Sequence, residues 1–241
     1  MKKLYIVKAG TTFSSTLQRF GDFDQWTRTA LGPTTLPIAI IDVEDMAALP
    51  AAEDCAGVTV TGSHAMVTDK LEWSVRLEDW IAGLVARQVP FFGICYGHQL
   101  LGSALGGEVG YHPRGKEIGT TLIRCRKEAA EDPLFSALPR EFWAHTTHSQ
   151  TVLQLPPQAI ALAENDFEPH HAFRVGPCAW GVQFHPEYTG AIMGAYIEEQ
   201  ATQLSAAGQS VETLLAAVRE TPAAAELFRH FTRYAAERLA G

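Results

Sequence analysis

Residues Pro90–Leu100, PFFGICYGHQL, decide how this chain folds. Pro90, Phe91, Phe92 and Ile94 make a short apolar run, the pattern of a central strand covered on both faces in a parallel sheet. Tyr96–Leu105 then reads as a helix with an apolar stripe at Leu100, Leu101, Ala104 and Leu105, ended by Gly106 and Gly107. Gly93 and Gly97 flank Cys95 symmetrically, and a sharp strand-to-helix turn needs that room. A cysteine placed there meets the positive end of the helix dipole, beside free N–H groups able to hold an oxyanion. Both effects favour thiolate over thiol.

Working outward, Leu4–Val7, Pro37–Val43 and Val58–Thr61 read as strands, with helical patterns over Asp22–Leu31 and Glu72–Arg87 between them. In the second helix Trp73, Leu77, Trp80, Ile81 and Leu84 form one apolar face, which reads as core or interface. Strands alternating with helices predict an α/β fold: a doubly wound, mostly parallel sheet with helices on both faces. Its ligand crevice falls at the strand C-termini, where Gly62 and Cys95 stand.

Beyond Val109 the pattern turns to strands at Thr120–Cys125, Phe142–Thr147, Ala159–Ala163, Ala172–Val175 and Ala179–Phe184, which predicts an additional antiparallel region. Tyr111–Gly119 reads as a loop near the site; Arg114, Lys116 and Glu117 read as a solvated face, with contact to substrate or a partner as the alternative. After Glu187 the chain becomes helical over Gly190–Ala206, Val211–Glu220 and Ala223–Leu239, Pro222 starting the last helix. The expectation is a single domain over 1–241 with a helical C-terminal extension at about 190–241. That extension is suited to covering the core, pairing two copies as a homodimer or docking a partner.

The second informative segment is Gln183–Glu187, QFHPE. Pro186 keeps His185 extended, and Glu187 then points to the same side as His185. A carboxylate there fixes the imidazole tautomer and stabilises the imidazolium. Singly, each residue has a bland reading: a buried small hydrophobe, a core histidine, a helix-entry acid. Cys95, His185 and Glu187 together read as a cysteine nucleophile with an oriented base.

GICYGHQ followed by QFHPE resembles the class I (triad) glutamine amidotransferases, and in particular the amidotransferase domain of GMP synthases and their stand-alone relatives. The likeness runs from about Leu4 to Tyr188 and implies a flavodoxin-like fold. It also implies that Cys95 attacks the side-chain amide of L-glutamine, with His185 as base and Glu187 orienting it. A glutamyl thioester forms, ammonia leaves and water releases glutamate. Gly62 and Ser63, in VTVTGS, match the family's oxyanion turn, and the backbone N–H of Tyr96 is the second donor. His64 stands where relatives often have proline. Gln99 matches a substrate-contacting glutamine, and Ser149 and Gln150 match a loop binding the amino-acid end of the substrate. His98 and His148 read as structural, satisfying backbone groups beneath the site.

The chemistry so implied needs no metal and no cofactor. The chain shows no GxxxxGK[ST] or SGGxDS-like segment. The expected partner is therefore a separate ATP-dependent synthetase subunit. The alternatives are a free-standing hydrolase of γ-glutamyl amides or peptides and a non-enzymatic regulatory relative.

Composition sets outer bounds. The 241 residues suffice for one large α/β core, and 46% hydrophobic content is ordinary. A net charge of −8 argues against general binding of nucleic acid or anionic membranes. Cys55, Cys125 and Cys178 form no metal-like spacing and read as free thiols. MKKLYIVKAG reads as a first strand, not a signal peptide, so a cytoplasmic location is expected.

Overall fold

The computed structural model describes residues 1–45 and 48–240, and in it the run after Pro90 lies in the middle of a nine-stranded sheet. In chain order the strands are β1 (Lys3–Lys8), β2 (Ile38–Asp42), β3 (Cys55–Val60), β4 (Phe91–Ile94), β5 (Glu108–Tyr111), β6 (Glu117–Cys125), β7 (Glu141–His148), β8 (Gln150–Gln154), β9 (Ile160–Glu164), β10 (Ala172–Val175) and β11 (Ala179–Val182). The helices are α1 (Ser14–Phe20), α2 (Phe23–Leu31), α3 (Glu72–Ala86), α4 (Tyr96–Ala104), α5 (Gly190–Glu199), α6 (Ala201–Ala206), α7 (Val211–Ala217) and α8 (Pro222–Ala240).

The sheet order is β2-β1-β3-β4-β11-β10-β9-β6-β7. From β2 to β11 every neighbour is parallel, and from β11 to β7 every neighbour is antiparallel. The expected antiparallel region is thus a continuation of the same sheet. Alternation along the strands sends Phe91, Val58 and Val60 into one core layer, while Phe92, Ile94, Leu4 and Ile6 enter the other. The first layer holds Leu77, Ile81 and Leu84 of α3 with Leu100 and Leu101 of α4. The second holds Leu31 of α2 with Leu227, Phe228 and Phe231 of α8. Asp22 starts α2 with a capping box closed by Gln25, which gives the expected helix a defined first turn.

Several boundaries differ from expectation. Only 112–116 remain loop in Tyr111–Gly119, because Tyr111 ends β5 and Glu117 begins β6. β5 and β8 form a small antiparallel sheet of their own. The expected helix Gly190–Ala206 breaks at Gln200, whose Nε2 donates to the Tyr196 carbonyl at 2.9 Å. The helix expected to reach Glu220 stops at Ala217, since Val218 is extended. Trp73 and Trp80 are packing residues as read: Trp80 Nε1 donates to the Pro50 carbonyl at 2.8 Å, and Trp73 rests on Tyr96. No helix among the described residues is long and apolar enough to cross a membrane.

Candidate active site

Cys95 occupies the hinge between β4 and α4 with φ +46° and ψ −94°, a backbone state that side-chain-bearing residues rarely adopt. Such a conformation costs about 1–3 kcal/mol and persists only where its surroundings hold it. Here its N–H donates to the Val182 carbonyl at 2.8 Å, and its carbonyl accepts from Gln99 N at 3.0 Å. The two glycines make the turn feasible. A Cβ on Gly93 would lie 2.3 Å from the Gly97 carbonyl oxygen, and one on Gly97 would lie 2.6 Å from the Val60 carbonyl oxygen. Strand, turn and helix therefore touch through bare backbone.

His185 follows β11, and its N–H donates to the His145 carbonyl at 2.8 Å. Its Nδ1 meets Glu187 Oε1 at 2.8 Å, and the Tyr188 ring stacks on it at 4.1 Å. An ionised carboxylate only accepts, so Nδ1 carries the proton. Nε2 has no aligned hydrogen-bond partner among the described residues. Burial opposes charging this imidazole, but the Glu187 carboxylate and the nearby Cys95 sulfur outweigh it and raise the pKa to about 10. Beneath it, burial and then His185 itself push His145 down to about 4, so that histidine stays neutral. Gly62 completes the contact: a Cβ there would fall 2.9 Å from His185 Cε1 and 3.8 Å from Cys95 Cβ. Cys95, His185, Glu187 and Gly62 thus converge at the C-terminal edge of the parallel strands.

These groups border a cavity of about 230 Å³ lined by Cys95, His185, Ser63, Tyr96, Gln99, Ser149 and Gln150. Its size suits one amino acid better than a drug-sized ligand. Glu187 and Gly62 stand behind its wall. The Tyr96 side chain turns to structural use, with its hydroxyl 2.6 Å from Ser74 Oγ. Ser63 Oγ accepts from Ala65 N at 3.0 Å and stiffens the turn.

Gln99 is more committed than its expected substrate contact implied. Its Nε2 donates to the Gln150 carbonyl at 2.8 Å and to Gln183 Oε1 at 3.1 Å, bracing the elbow against β8. Gln150 Nε2 donates to Thr68 Oγ1 at 2.6 Å, while its Oε1 is buried without a partner. The Gln150 carbonyl also meets His148 Nδ1 at 3.0 Å, so His148 satisfies backbone as expected. The His98 ring nitrogens have no aligned hydrogen-bond partner among the described residues, although the Gly181 backbone lies beside them. The ring packs beside Gly181 and Phe173, and burial holds its pKa well below the ordinary value.

Two residues assigned to a solvated loop lie inward. Glu117 is buried, with Oε2 2.9 Å from His148 Nε2 and Oε1 accepting from Asn165 Nδ2 at 2.7 Å. His171 Nε2 lies 3.2 Å from Oε2 without hydrogen-bond alignment. Burial would raise the Glu117 pKa, but the two imidazoles outweigh it and hold the carboxyl well below its usual range. Lys116 lines the cavity itself. Arg114 alone stays outward, over the Phe167 ring at 4.7 Å. Local polarity misleads here because Glu117 begins β6, paired with His148 of β7, while Lys116 is drawn to Gln200.

The Glu117 contacts imply a pH signature. A depressed folded pKa contributes stability above the unfolded value near 4.5 and loses it as pH falls toward the folded value. Glu117→Gln is expected to cost about 1.5–3 kcal/mol in urea unfolding at pH 7. The gap to the parent should narrow below pH 4.5. An unchanged gap at low pH would count against the ionised carboxylate as its source.

Tyr188, Tyr196, Phe13, Gln200 and Gln203 also line the cavity without an expected role, beside His64, which stands where relatives often have proline. Tyr188 follows HPE directly and so had a signal, whereas Tyr196 and Gln200 had none, since their entry depends on how α5 lies over the site. His64 lies tilted against Phe13 with ring centroids 4.3 Å apart, and burial followed by the charge of Lys116 pushes its pKa down to about 4. Burial also raises the Cys55 and Cys125 thiols to about 11, which keeps them protonated at neutral pH. Among the described residues no cluster of His, Cys, Asp or Glu is arranged to hold a metal ion.

Comparison with known proteins agrees with this geometry. A sequence model described as Glutamine amidotransferase class-I matches residues 21–203. The chain is 35% identical over 145 residues to the GMP synthase [glutamine-hydrolyzing] of Thermosipho africanus, covering 60% of this chain and 26% of that protein. It is 38% identical over 110 residues to a GMP synthase [glutamine-hydrolyzing] subunit of Pyrococcus furiosus, covering 45% of this chain and 56% of that one. The matched part therefore spans about a quarter of the synthase and about half of the Pyrococcus protein. Among solved structures, a glutamine amidotransferase from Thermotoga maritima superposes with TM-score 0.74 at 20% identity, covering 98% of this chain and all of that one. One from Methylobacillus flagellatus gives 0.70 at 22%, covering 100% and 95%. At these identities the two structures speak for the fold alone.

Proposed function

Because this chain belongs to the class-I glutamine amidotransferase family, we propose that it hydrolyses the side-chain amide of L-glutamine through a Cys95 thioester. The observation that carries this reading is the strained Cys95 elbow beside a buried His185 bonded to Glu187 at 2.8 Å. The Cys95 sulfur adds to the amide carbon, and the N–H groups of the Gly62–Ser63 turn and of Tyr96 receive the oxyanion. The His185 imidazolium gives its Nε2 proton to the leaving nitrogen, so ammonia departs and a glutamyl thioester remains. Water then attacks that carbonyl as His185 takes its proton; the C–S bond breaks, glutamate leaves with its acid proton passing to solvent, and the Cys95 thiolate and His185 imidazolium are restored. Glu187 acts through His185 by holding its tautomer and charge. The likeness to a GMP synthase subunit favours delivery of the ammonia to a separate synthetase.

A second reading has its own support. Tyr196, Gln200 and Gln203 of the C-terminal helices wall the cavity, so this chain supplies part of the enclosure itself. That suits a free-standing hydrolase of γ-glutamyl amides or peptides with the same three residues. Glutamate release from L-glutamine and from a γ-glutamyl dipeptide panel separates the two. Rapid Cys95-dependent dipeptide cleavage favours the hydrolase; slow glutamine turnover that a synthetase accelerates favours the amidotransferase. Absence of Cys95-dependent release from every substrate would refute both.

Glu187→Ala should lower kcat by roughly 10²–10⁴-fold, less than loss of the nucleophile. Without the carboxylate the His185 pKa falls from its raised position. The imidazolium is then lost at lower pH, and an NMR titration of His185 reads the shift directly. An unchanged titration would count against the assigned role.

A further inference from the structure

Lys116 is the one ammonium, and no carboxylate is present, among the described residues that line the cavity. Its Nζ donates to Gln200 Oε1, while Gln200 is itself tied through Nε2 to the Tyr196 carbonyl at 2.9 Å. The backbone is held as well, since Gln209 Nε2 donates to the Lys116 carbonyl at 3.1 Å. Gln200 therefore holds the side chain and Gln209 the backbone of Lys116. No carboxylate lies within ion-pair distance of Nζ among the described residues, although the other partly buried lysine of the sheet edge, Lys8, has two, Asp22 and Asp42. A partly buried cation held by a neutral amide oxygen has lost water without gaining a counter-charge. Burial accordingly lowers its pKa, with the Cys95 sulfur opposing that shift. The neighbouring His64 is neutral and Gln99, Gln150, Gln200 and Gln203 are uncharged amides, so among the described wall residues only the Cys95 sulfur opposes the charge, and no carboxylate does.

We propose that Lys116 is a specificity-determining residue that pairs with a carboxylate of the bound γ-glutamyl amide, its ammonium completing in the complex the ion pair it lacks in the free protein. This rests on the reading that the cavity takes γ-glutamyl amides. Two carboxylates have the required chemistry: the α-carboxylate of the glutamyl unit and a carboxylate on the departing amine, as in a γ-glutamyl amino acid. The first makes Lys116 a reader of the donor, the second a reader of the leaving group.

The test measures binding, not turnover, so its failure is distinct from failure of the reaction scheme. Cys95→Ala protein, with and without Lys116→Met, is titrated calorimetrically with two ligand pairs. L-Glutamine against its α-amide tests the first source; γ-L-glutamylglycine against γ-L-glutamylglycinamide tests the second. In the Lys116 protein one pair is expected to show about 10–100-fold weaker binding when the carboxylate becomes an amide. In the Lys116→Met background that difference should shrink to about twofold or less, and Lys116→Arg should restore most of it. Equal weakening of all four ligands by Lys116→Met would make the lysine a structural prop and overturn the proposal. So would a carboxylate preference that survives Lys116→Met, or failure of all four ligands to bind at millimolar concentration. Lys116→Gln, which keeps the hydrogen-bonding chain end without charge, serves as the second variant and should behave as Lys116→Met does.

Discussion

Cys95→Ala is expected to lower glutamate release by roughly 10⁴–10⁶-fold while leaving L-glutamine binding nearly intact. The substitution removes one sulfur atom from a residue that is 6% exposed. The elbow survives, because its backbone is held by Val182 and by Gln99 rather than by the side chain. His185 keeps Glu187, so what is lost is the atom that forms the thioester. Acid-quenched protein should show a glutamyl adduct by intact mass in the parent and none in the variant. Adduct formation or ordinary turnover in Cys95→Ala would remove the mechanism. Cys55 and Cys125 are poor substitutes, since burial keeps them as thiols.

Gly97→Ala should produce the largest loss of stability among the single changes considered. The added methyl would sit 2.6 Å from the Val60 carbonyl oxygen and 2.9 Å from Val60 Cβ. Gly93→Ala is comparable, with the Gly97 carbonyl carbon at 2.4 Å and His98 N at 2.8 Å. In both places the obstacle includes backbone, which cannot swing aside as a side chain would. β3, β4 and α4 must separate, and with them the two core layers. We expect at least about 3–5 kcal/mol of destabilisation by urea unfolding, beyond the usual range for single substitutions. Gly83→Ala is the internal comparison: nothing lies within 4 Å of its Cβ position inside α3. There the same methyl should stabilise by about 0.5–1 kcal/mol through helix preference. Similar outcomes at Gly83 and Gly97 would contradict the close-approach account of the elbow.

The parts of this molecule legible in the residues are those where local pattern and tertiary position coincide. β4 and α4 were readable because an apolar run, a cysteine and two spaced glycines allow few arrangements. His185 and Glu187 were readable because Pro186 enforces the extended backbone that sets them on one side. β5 escaped notice because four residues including Gly110 carry little strand signal, and pairing with β8 makes the strand. The split of α5 from α6 is likewise a tertiary matter, with no proline or glycine at Gln200. Lys116 and Glu117 were misjudged most, and for one reason: a charged pair between glycines looks solvated. What turns one into the cavity and buries the other is a histidine pair and an amide, Gln200, far away in sequence. Gln99 lines the cavity where its motif position puts it, and the motif did not announce that its amide nitrogen also braces protein acceptors.

Phe92, just upstream of the nucleophile, rests on Phe228 and Phe231 of α8 at ring separations of 5.3 and 5.4 Å. On the ribosome, Cys95, His185 and Glu187 all emerge before that helix does. Until α8 arrives, one side of β4 lies bare and the elbow has no firm base. A growing chain therefore carries Cys95, His185 and Glu187 before their support exists, and the proposed site gains its base only after α8 has emerged and docked.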